Sequence, residues 1–599
     1  MNDRAFRVRS VASFTALCLA AAGLALLTRP SPAEGATHCP TPKEKMTFAP
    51  PKIIDETRAG GEPTVEQHPD GTLLYGSHAG TTHFYAPAGA DPTTAAFFQN
   101  YTGQTYYYFS EDLGKTWNFV PRVDPENVPA QGFSDPEFGI DKAGQVYVSE
   151  INLANVAVSK STDKGHSYTL QNFFGETVHD RQWQDGDQKD VVYLTGNSFG
   201  GGTAPSQPVG NIGHYLYKSK DGGQTFGPGV ADQEGGDGLG DVIVDKSDGT
   251  LYEAHYDSET LSLTAFRKAR SDDFTPDVNK VAGKVSMISH WPAFDLDPQG
   301  NIYITWDESG QGPRAAGVWY SYSTDRGNTW ADPVRVDTDD KTNIWPWIAV
   351  GNKGRVAIAY LQADIKLPNH DSQTEGDHGW RVVMAQSLNG LGCASSKKPG
   401  FRTAVATPKP MHTGTICSGG TVCQAQAIDR RLGDFFTIEI DNTGRVWGGY
   451  SNTMEGGATA LPAFVRQSGG PSFGKACTSG PSRANKKRGR AGPCTLAPLV
   501  GLGVSDARPA RDQKISFRTV LRACKLSGAT NRLKGTRVNL LRKRDGHFVK
   551  VASKRVGDTC RASFSRRASF GRAVFKAAWP KQLDGFRAGR SLPLIIKTH

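Results

Sequence analysis

The 599-residue chain predicts an all-β fold, a β-propeller followed by a small β-sandwich. Three observations predict it. An octapeptide recurs four times, as SEDLGKTW from Ser110, STDKGHSY from Ser161, SKDGGQTF from Ser219 and STDRGNTW from Ser323. Seven times, two short apolar-alternating runs are joined by a turn of Asp, Asn or Gly, starting at Glu62, Asp135, Asp180, Asp241, Trp291, Trp345 and Asp434. Each of these reads as a β-hairpin. Near the C-terminus, short alternating runs such as KISFRTVL and RASFSRRASF return after a break in composition.

Taken in order, residues 1–36 read as an export signal. Arg4, Arg7 and Arg9 precede an apolar stretch from Val11 to Leu27, and small residues follow, with cleavage expected between Ala33 and Ala36. An uncleaved anchor is the alternative, and no later segment has the length of a membrane span. Residues 37–470 form the propeller. Hairpin, third strand (TYYYFS, GHYLYKS), octapeptide turn and fourth strand give four antiparallel strands over roughly 45 to 70 residues, the size of a blade. Seven blades are expected. Six with an irregular sheet is the alternative, because the seventh unit lacks a clear octapeptide and a long insertion around Gly390 to Cys423 precedes it. Residues 471–498 are a basic linker rich in Gly, Ser and Pro. Residues 499–599 read as a β-sandwich that resembles, in pattern, the immunoglobulin-like modules of bacterial surface proteins.

The net charge of +10 divides unevenly. From Lys475 to His599, 30 Lys and Arg stand against 5 Asp and Glu, while residues 37–474 carry a net −17. The basic tail suits an anionic cell-surface polymer, with a solvated face as the alternative. KKRGR at Lys486 reads as linker in an exported chain, so no specific nucleic-acid partner is expected. Eight cysteines remain once Cys18 leaves with the signal, an even number that suits disulfides. Cys417–Cys423 and Cys524–Cys560 are the expected pairs. None has zinc-like spacing.

In the octapeptides, Asp112, Asp163, Asp221 and Asp325 are expected to accept hydrogen bonds from turn N–H groups. Gly114, Gly165, Gly223 and Gly327 supply positive φ, and Trp117, Tyr168, Phe226 and Trp330 bury apolar surface. This S-x-D-x-G-x-[TS]-[WYF] sentence resembles the Asp box, or BNR repeat, of sialidases and related propellers. The resemblance covers about 420 residues as fold. It implies that these turns are structural and that an active site lies on the opposite face. It also implies, for a sialidase, an arginine cluster, a Tyr–Glu pair, an Asp acid and an Arg-Ile-Pro motif; the chain has no Arg-Ile-Pro.

Chemistry is therefore sought where the hairpins begin. There the sequence offers Asp135, Asp180, Arg181, Arg431 and Asp434 as catalytic candidates, and Glu62, Trp183, Asp241, His290, Trp291 and Trp345 for substrate. Glu137, Trp347 and Arg430 stand in the same ring, and His78, Glu150, Asn197, His255, Asp257, Asp307, Glu308 and Asp364 in neighbouring loops. Arg314 and Arg381 could join Arg181 and Arg431 in an arginine cluster. Carboxylates with aromatics suit extracellular carbohydrate, and two carboxyls across a glycosidic bond suit its hydrolysis. No cofactor is required, although the same acids could hold Ca²⁺ or merely cap strand-start turns. Ser-His-Asp, P-loop and dinucleotide motifs are absent. A secreted or surface-associated glycoside hydrolase is the first expectation, a noncatalytic glycan- or protein-binding propeller the second, and a propeller lyase or metal-dependent esterase the third.

Overall fold

The computed structural model describes residues 38–78, 105–121, 134–152, 155–174, 178–199, 213–234, 238–257, 259–289, 292–417, 419, 423, 426–455, 457, 459–474, 500–521, 536–545, 547–557, 561–580, 589–590 and 594–598. Residues 1–37, where the export signal is expected, most of the expected linker, His290, Trp291, Cys524 and Cys560 lie outside the described residues.

Among these residues, seven antiparallel sheets follow one another along the chain. Their innermost strands are Gly61–Gln67, Ser134–Ile140, Val178–Gly186, Gly238–Asp245, Ala293–Leu296, Asn343–Val350 and Ile438–Ile440. Each touches the next, and the last touches the first, so they close a ring around a central channel. The protein is a seven-bladed β-propeller. Second strands are covered on both faces by neighbouring blades, which explains why Ile302–Glu308 and Val356–Ala363 are buried at every position instead of alternating. Each large side chain packed there contributes about 1.5–3 kcal/mol.

The seventh blade explains its missing octapeptide. Its first three strands come from Ile438 to Gly469, but its outer edge is supplied by Thr47–Phe48 and Lys52–Ile53 from the other end of the chain. With no turn between third and fourth strands, nothing needs that sentence. The N-terminal segment is also tied to blade six by a Cys39–Cys393 disulfide, which spans 354 residues. Cys417–Cys423 is present as expected.

All four octapeptides lie between third and fourth strands. In each, the Ser hydroxyl bonds the Asp carboxylate (2.8–3.0 Å) and accepts the Gly N–H (2.8–2.9 Å). The backbone N–H and hydroxyl of the following Thr or Ser also donate to the Asp. The glycines serve packing as well as φ. A Cβ at Gly114 would meet Phe464 of blade seven at 2.2 Å, and one at Gly165 would meet Leu74 of blade one at 2.5 Å. Each turn therefore presses against the preceding blade. A degenerate copy in blade six, Ser387 with Asn389 (3.0 Å), keeps only the first of these bonds with an amide in place of the carboxylate.

Beyond Val500, a three-stranded and a five-stranded sheet share one core. Ile515, Phe517 and Phe564 from the first face Leu540, Phe575 and Trp579 from the second, with Phe517 and Phe575 rings 4.8 Å apart. This is the β-sandwich.

Candidate functional site

Five innermost strands break register at the same place, between the residues flanking Glu62–Pro63, Asp135–Pro136, Arg181–Gln182, Gly240–Asp241 and Trp345–Pro346. Proline has no N–H to give the ladder, which accounts locally for three of these bulges. The first bulge residue is left-handed in four: Glu62 (φ 43°), Asp135 (49°), Arg181 (58°) and Trp345 (56°). Non-glycine residues in that region carry strain that clusters at functional sites. Here the bulges turn charged side chains from successive blades toward one mouth of the channel.

Three carboxylates, two guanidiniums and an imidazole converge there. Arg181 reaches Asp135 at 2.9 Å and Glu62 at 3.8 Å, and also pairs with Asp434. Arg430 grips Asp434 with both terminal nitrogens, one at 2.8 Å, and lies 3.9 Å from Glu62. His78 and Glu62, both fully buried, share a hydrogen bond of 2.7 Å, and the Ser134 hydroxyl donates to Asp135. Gly433 (φ 75°) closes the cluster: a Cβ there would stand 2.1 Å from Glu62 Cγ.

Above the cluster is a small cleft lined by Asp135, Pro136, Glu137, Arg181, Gln182, Trp183 and Phe435. Burial, then the charge of Asp241, pushes the Glu137 carboxyl well above the usual range. Glu137 Oε1 accepts the Phe138 N–H at 3.0 Å, while the buried Oε2 has no protein partner. Behind it the channel is acidic. Glu66, Asp185, Asp241, Asp295 and Glu439 each accept the N–H of the next residue (2.6–2.8 Å), as Glu137 does. Asp185 and Asp295 also bond a backbone N–H of the following blade's innermost strand, at Val244 (3.0 Å) and Val350 (2.6 Å). Burial raises the Asp241 and Asp295 carboxyls well above normal, helped by Asp185 and Glu439 respectively. Lys246 enters this ring and lies 3.1 Å from Asp185.

Of the sequence candidates, Glu62, Asp135, Arg181 and Asp434 meet in one cluster, and Trp183 lines the cleft by an edge although nearly wholly buried. Asp241 lies deeper, in the channel. Arg431 turns away, held by Asp429 (2.6 Å) and the carbonyl of Gly457 (2.6 Å), where it pins a loop. Trp345 is buried, and its backbone N–H donates to the Asp307 carboxylate at 3.0 Å. Asp180 pairs through its backbone with Asn197. Of the four arginines expected to gather, Arg181 alone stands in this cluster, where it shares Asp434 with Arg430. Arg314 pairs with Glu308, and Arg381 faces Asp364 at 3.9 Å. A buried Tyr107–Glu150 bond (2.7 Å) joins the third strand of blade one to the second strand of blade two, and neither residue lines the cleft.

Glu62, His78 and Asp135 place donor atoms within 4.8 Å of one another, close enough to share a metal ion. The chemistry of the set argues against a resident one: the Arg181 guanidinium already supplies a positive charge to Asp135 and Glu62.

No family model and no curated protein matches the chain. Solved structures that it resembles include a Dyadobacter fermentans protein of unknown function (14% identity, 71% of this chain and 98% of that one, TM-score 0.34). They also include a Penicillium chrysogenum α-L-arabinanase complexed with arabinobiose (12%, 70% and 96%, 0.33) and a Hadza microbial sialidase (13%, 52% and 66%, 0.33). At such identities and scores the likeness bears on no residue of the mouth.

Proposed function

We propose that this protein is a secreted or cell-surface propeller that hydrolyses extracellular carbohydrate at the Glu62–Asp135–Glu137–Arg181 mouth, as a sialidase-like glycoside hydrolase, held at the envelope through its basic C-terminal sandwich. One observation carries the reading. In a single cleft, two carboxyls two residues apart meet opposite surroundings: Asp135 is paired with a guanidinium, and Glu137 is buried against other acids. Environments that separate two carboxyls in this way assign their tasks. Glu137, its carboxyl pushed up by burial and by the charge of Asp241, is the general acid that protonates the leaving oxygen. Asp135, paired with the Arg181 guanidinium, is the base or nucleophile on the other side of the bond. Arg181, Glu62 and Asp434 orient the sugar, and no step is routed through a metal.

A second reading, a noncatalytic glycan- or protein-binding propeller, is favoured by the saturation of the cluster. Arg181 and Arg430 already occupy Asp135 and Asp434, and Trp183, Trp347 and Phe435 pack on one another (5.6–6.0 Å) instead of presenting open faces. The test is turnover of fluorogenic glycosides, an α-sialoside and an α-L-arabinofuranoside among them, by the mature chain. Glu137→Gln is expected to lower kcat about 10²–10⁴-fold and to remove the alkaline limb of the pH profile. No turnover on any substrate, together with glycan binding on an array, would replace hydrolysis by recognition.

A further inference from the structure

The propeller's mouth leaves one strongly charged feature unused, the sandwich. Residues 499–599 contain 24 Lys and Arg against 5 Asp and Glu. In the five-stranded sheet, strands Arg537–Arg544, His547–Arg555, Arg572–Trp579 and Leu594–Lys597 contain no acidic residue at all. Period-2 alternation sorts them. Val538, Leu540, Phe575, Ala577 and Ile596 point into the core, so their neighbours point out. The registers Leu541↔Lys550, Leu541↔Lys576, Lys543↔Phe548 and Arg572↔Lys597 then place the outward side chains side by side on one face. Lys543, Lys550, Arg555, Arg572 and Lys597 are exposed there, and Lys576 lies 4.9 Å over the Phe548 ring. Between pairs of described residues, no ion pair involves the sandwich; the last of them along the sequence is Arg466 with Asp441.

Such a face repels itself in isolation and is complementary to a linear polyanion. Two features narrow the partner. The two disulfides suit an oxidising compartment, where nucleic acid is not the usual polyanion. Phe548, the aromatic on this face, is covered by a lysine, which leaves no platform on which bases would stack. Few outward polar side chains other than cations remain to read sugar hydroxyls, so recognition is of charge repeated along a chain.

We infer that the outer face of the five-stranded sheet is a docking surface for a phosphodiester-linked polymer of the cell envelope. The surface rests on the reading above only in placing the protein outside the cell, and it is tested separately from the mouth. Binding of the whole mature chain to fluorescent poly(glycerol phosphate) is measured against salt, with DNA duplex and anionic vesicles as parallel arms. The triple variant Lys550→Glu, Arg572→Glu, Lys597→Glu is expected to weaken polymer binding at least tenfold, roughly, and to reduce the slope of log K on log salt by about 2–3. Lys514→Glu, Arg518→Glu, Arg561→Glu, on the other sheet, is the control and is expected to change affinity less than about threefold. Hydrolysis of a soluble glycoside should be the same in both, so failure of the mouth and failure of the face are distinguishable. Equal losses in the two triples, no binding to the polymer, or tighter binding to DNA or vesicles would overturn the assignment.

Discussion

In the turns between third and fourth strands, Asp112, Asp163, Asp221 and Asp325 each collect three donors, a Ser hydroxyl, a backbone N–H and a Thr or Ser hydroxyl. In the channel, Glu137 and Asp241 each receive one described hydrogen bond, from the next residue's amide, and face one another and further acids. Partial burial works to raise the first set, but the hydrogen bonds outweigh it and their carboxyls fall below the usual range. Burial and like charge carry the second set well above it. One side chain type thus does two jobs, set by its donor count. The turn carboxylates are spent on holding the fold, whereas burial and like charge favour the protonated form of a channel acid.

The mouth stands between these extremes, and breaking it should have the largest effect. Arg181→Leu leaves Asp135 and Asp434 short of a partner in a buried site, a loss expected to cost about 3–5 kcal/mol. Arg181→Lys, which keeps the charge but not the planar fork, should lose less. Urea unfolding of the two variants checks this. A leucine variant within about 1 kcal/mol of the parent would mean that the guanidinium does not hold the cluster together.

At a turn, Asp221→Ala strips the acceptor from Thr225 and Ser219 and should cost about 1–3 kcal/mol. The mouth and its turnover should be untouched, because the turn lies at the far end of the third strand from it. A loss of activity in a variant that stays folded would erase the division between the two faces.

How much of this was legible in the sequence depends on whether a feature is local. The octapeptide writes its own hydrogen bonds within eight residues, so its role and its position between strands three and four follow from the residues alone. The hairpin repeats likewise announce seven blades. The closing strand of blade seven does not, since Thr47–Phe48 meets Gln467 and Gly469 from the opposite end of the chain. For the same reason Cys39–Cys393 went unforeseen, while Cys417–Cys423, six residues apart, was expected. At the mouth the sequence marks the blade starts but not which side chains turn inward. That choice is made by the bulges. Glu62, Asp135 and Arg181 sit on the left-handed residue and converge, whereas Arg431, adjacent to Arg430, is drawn off by Asp429. Glu137 gains its importance from burial and then from Asp241, about a hundred residues away and two blades on, relations that no spacing displays.

The smallest effect is also the sharpest test of the comparison, because the two carboxylate sets should tilt stability against pH in opposite directions. For Asp221 the folded group ionises below its ordinary value of 3.8, so the native state binds fewer protons than the unfolded chain. Its contribution is present above that value and disappears as the pH falls through the folded one. For Asp241 the folded group ionises well above 3.8, so the native state holds a proton that the unfolded chain has lost. Its contribution is whole below 3.8 and is lost as the pH rises through the folded value. Asp221→Asn should therefore flatten the acid limb of a plot of unfolding free energy against pH and leave the neutral limb alone. Asp241→Asn should flatten the decline from about pH 4 upward and leave the acid limb alone. If Asp241→Asn instead steepened that decline, the channel would be stabilised by ionised carboxylates, with Lys246 outweighing their repulsion.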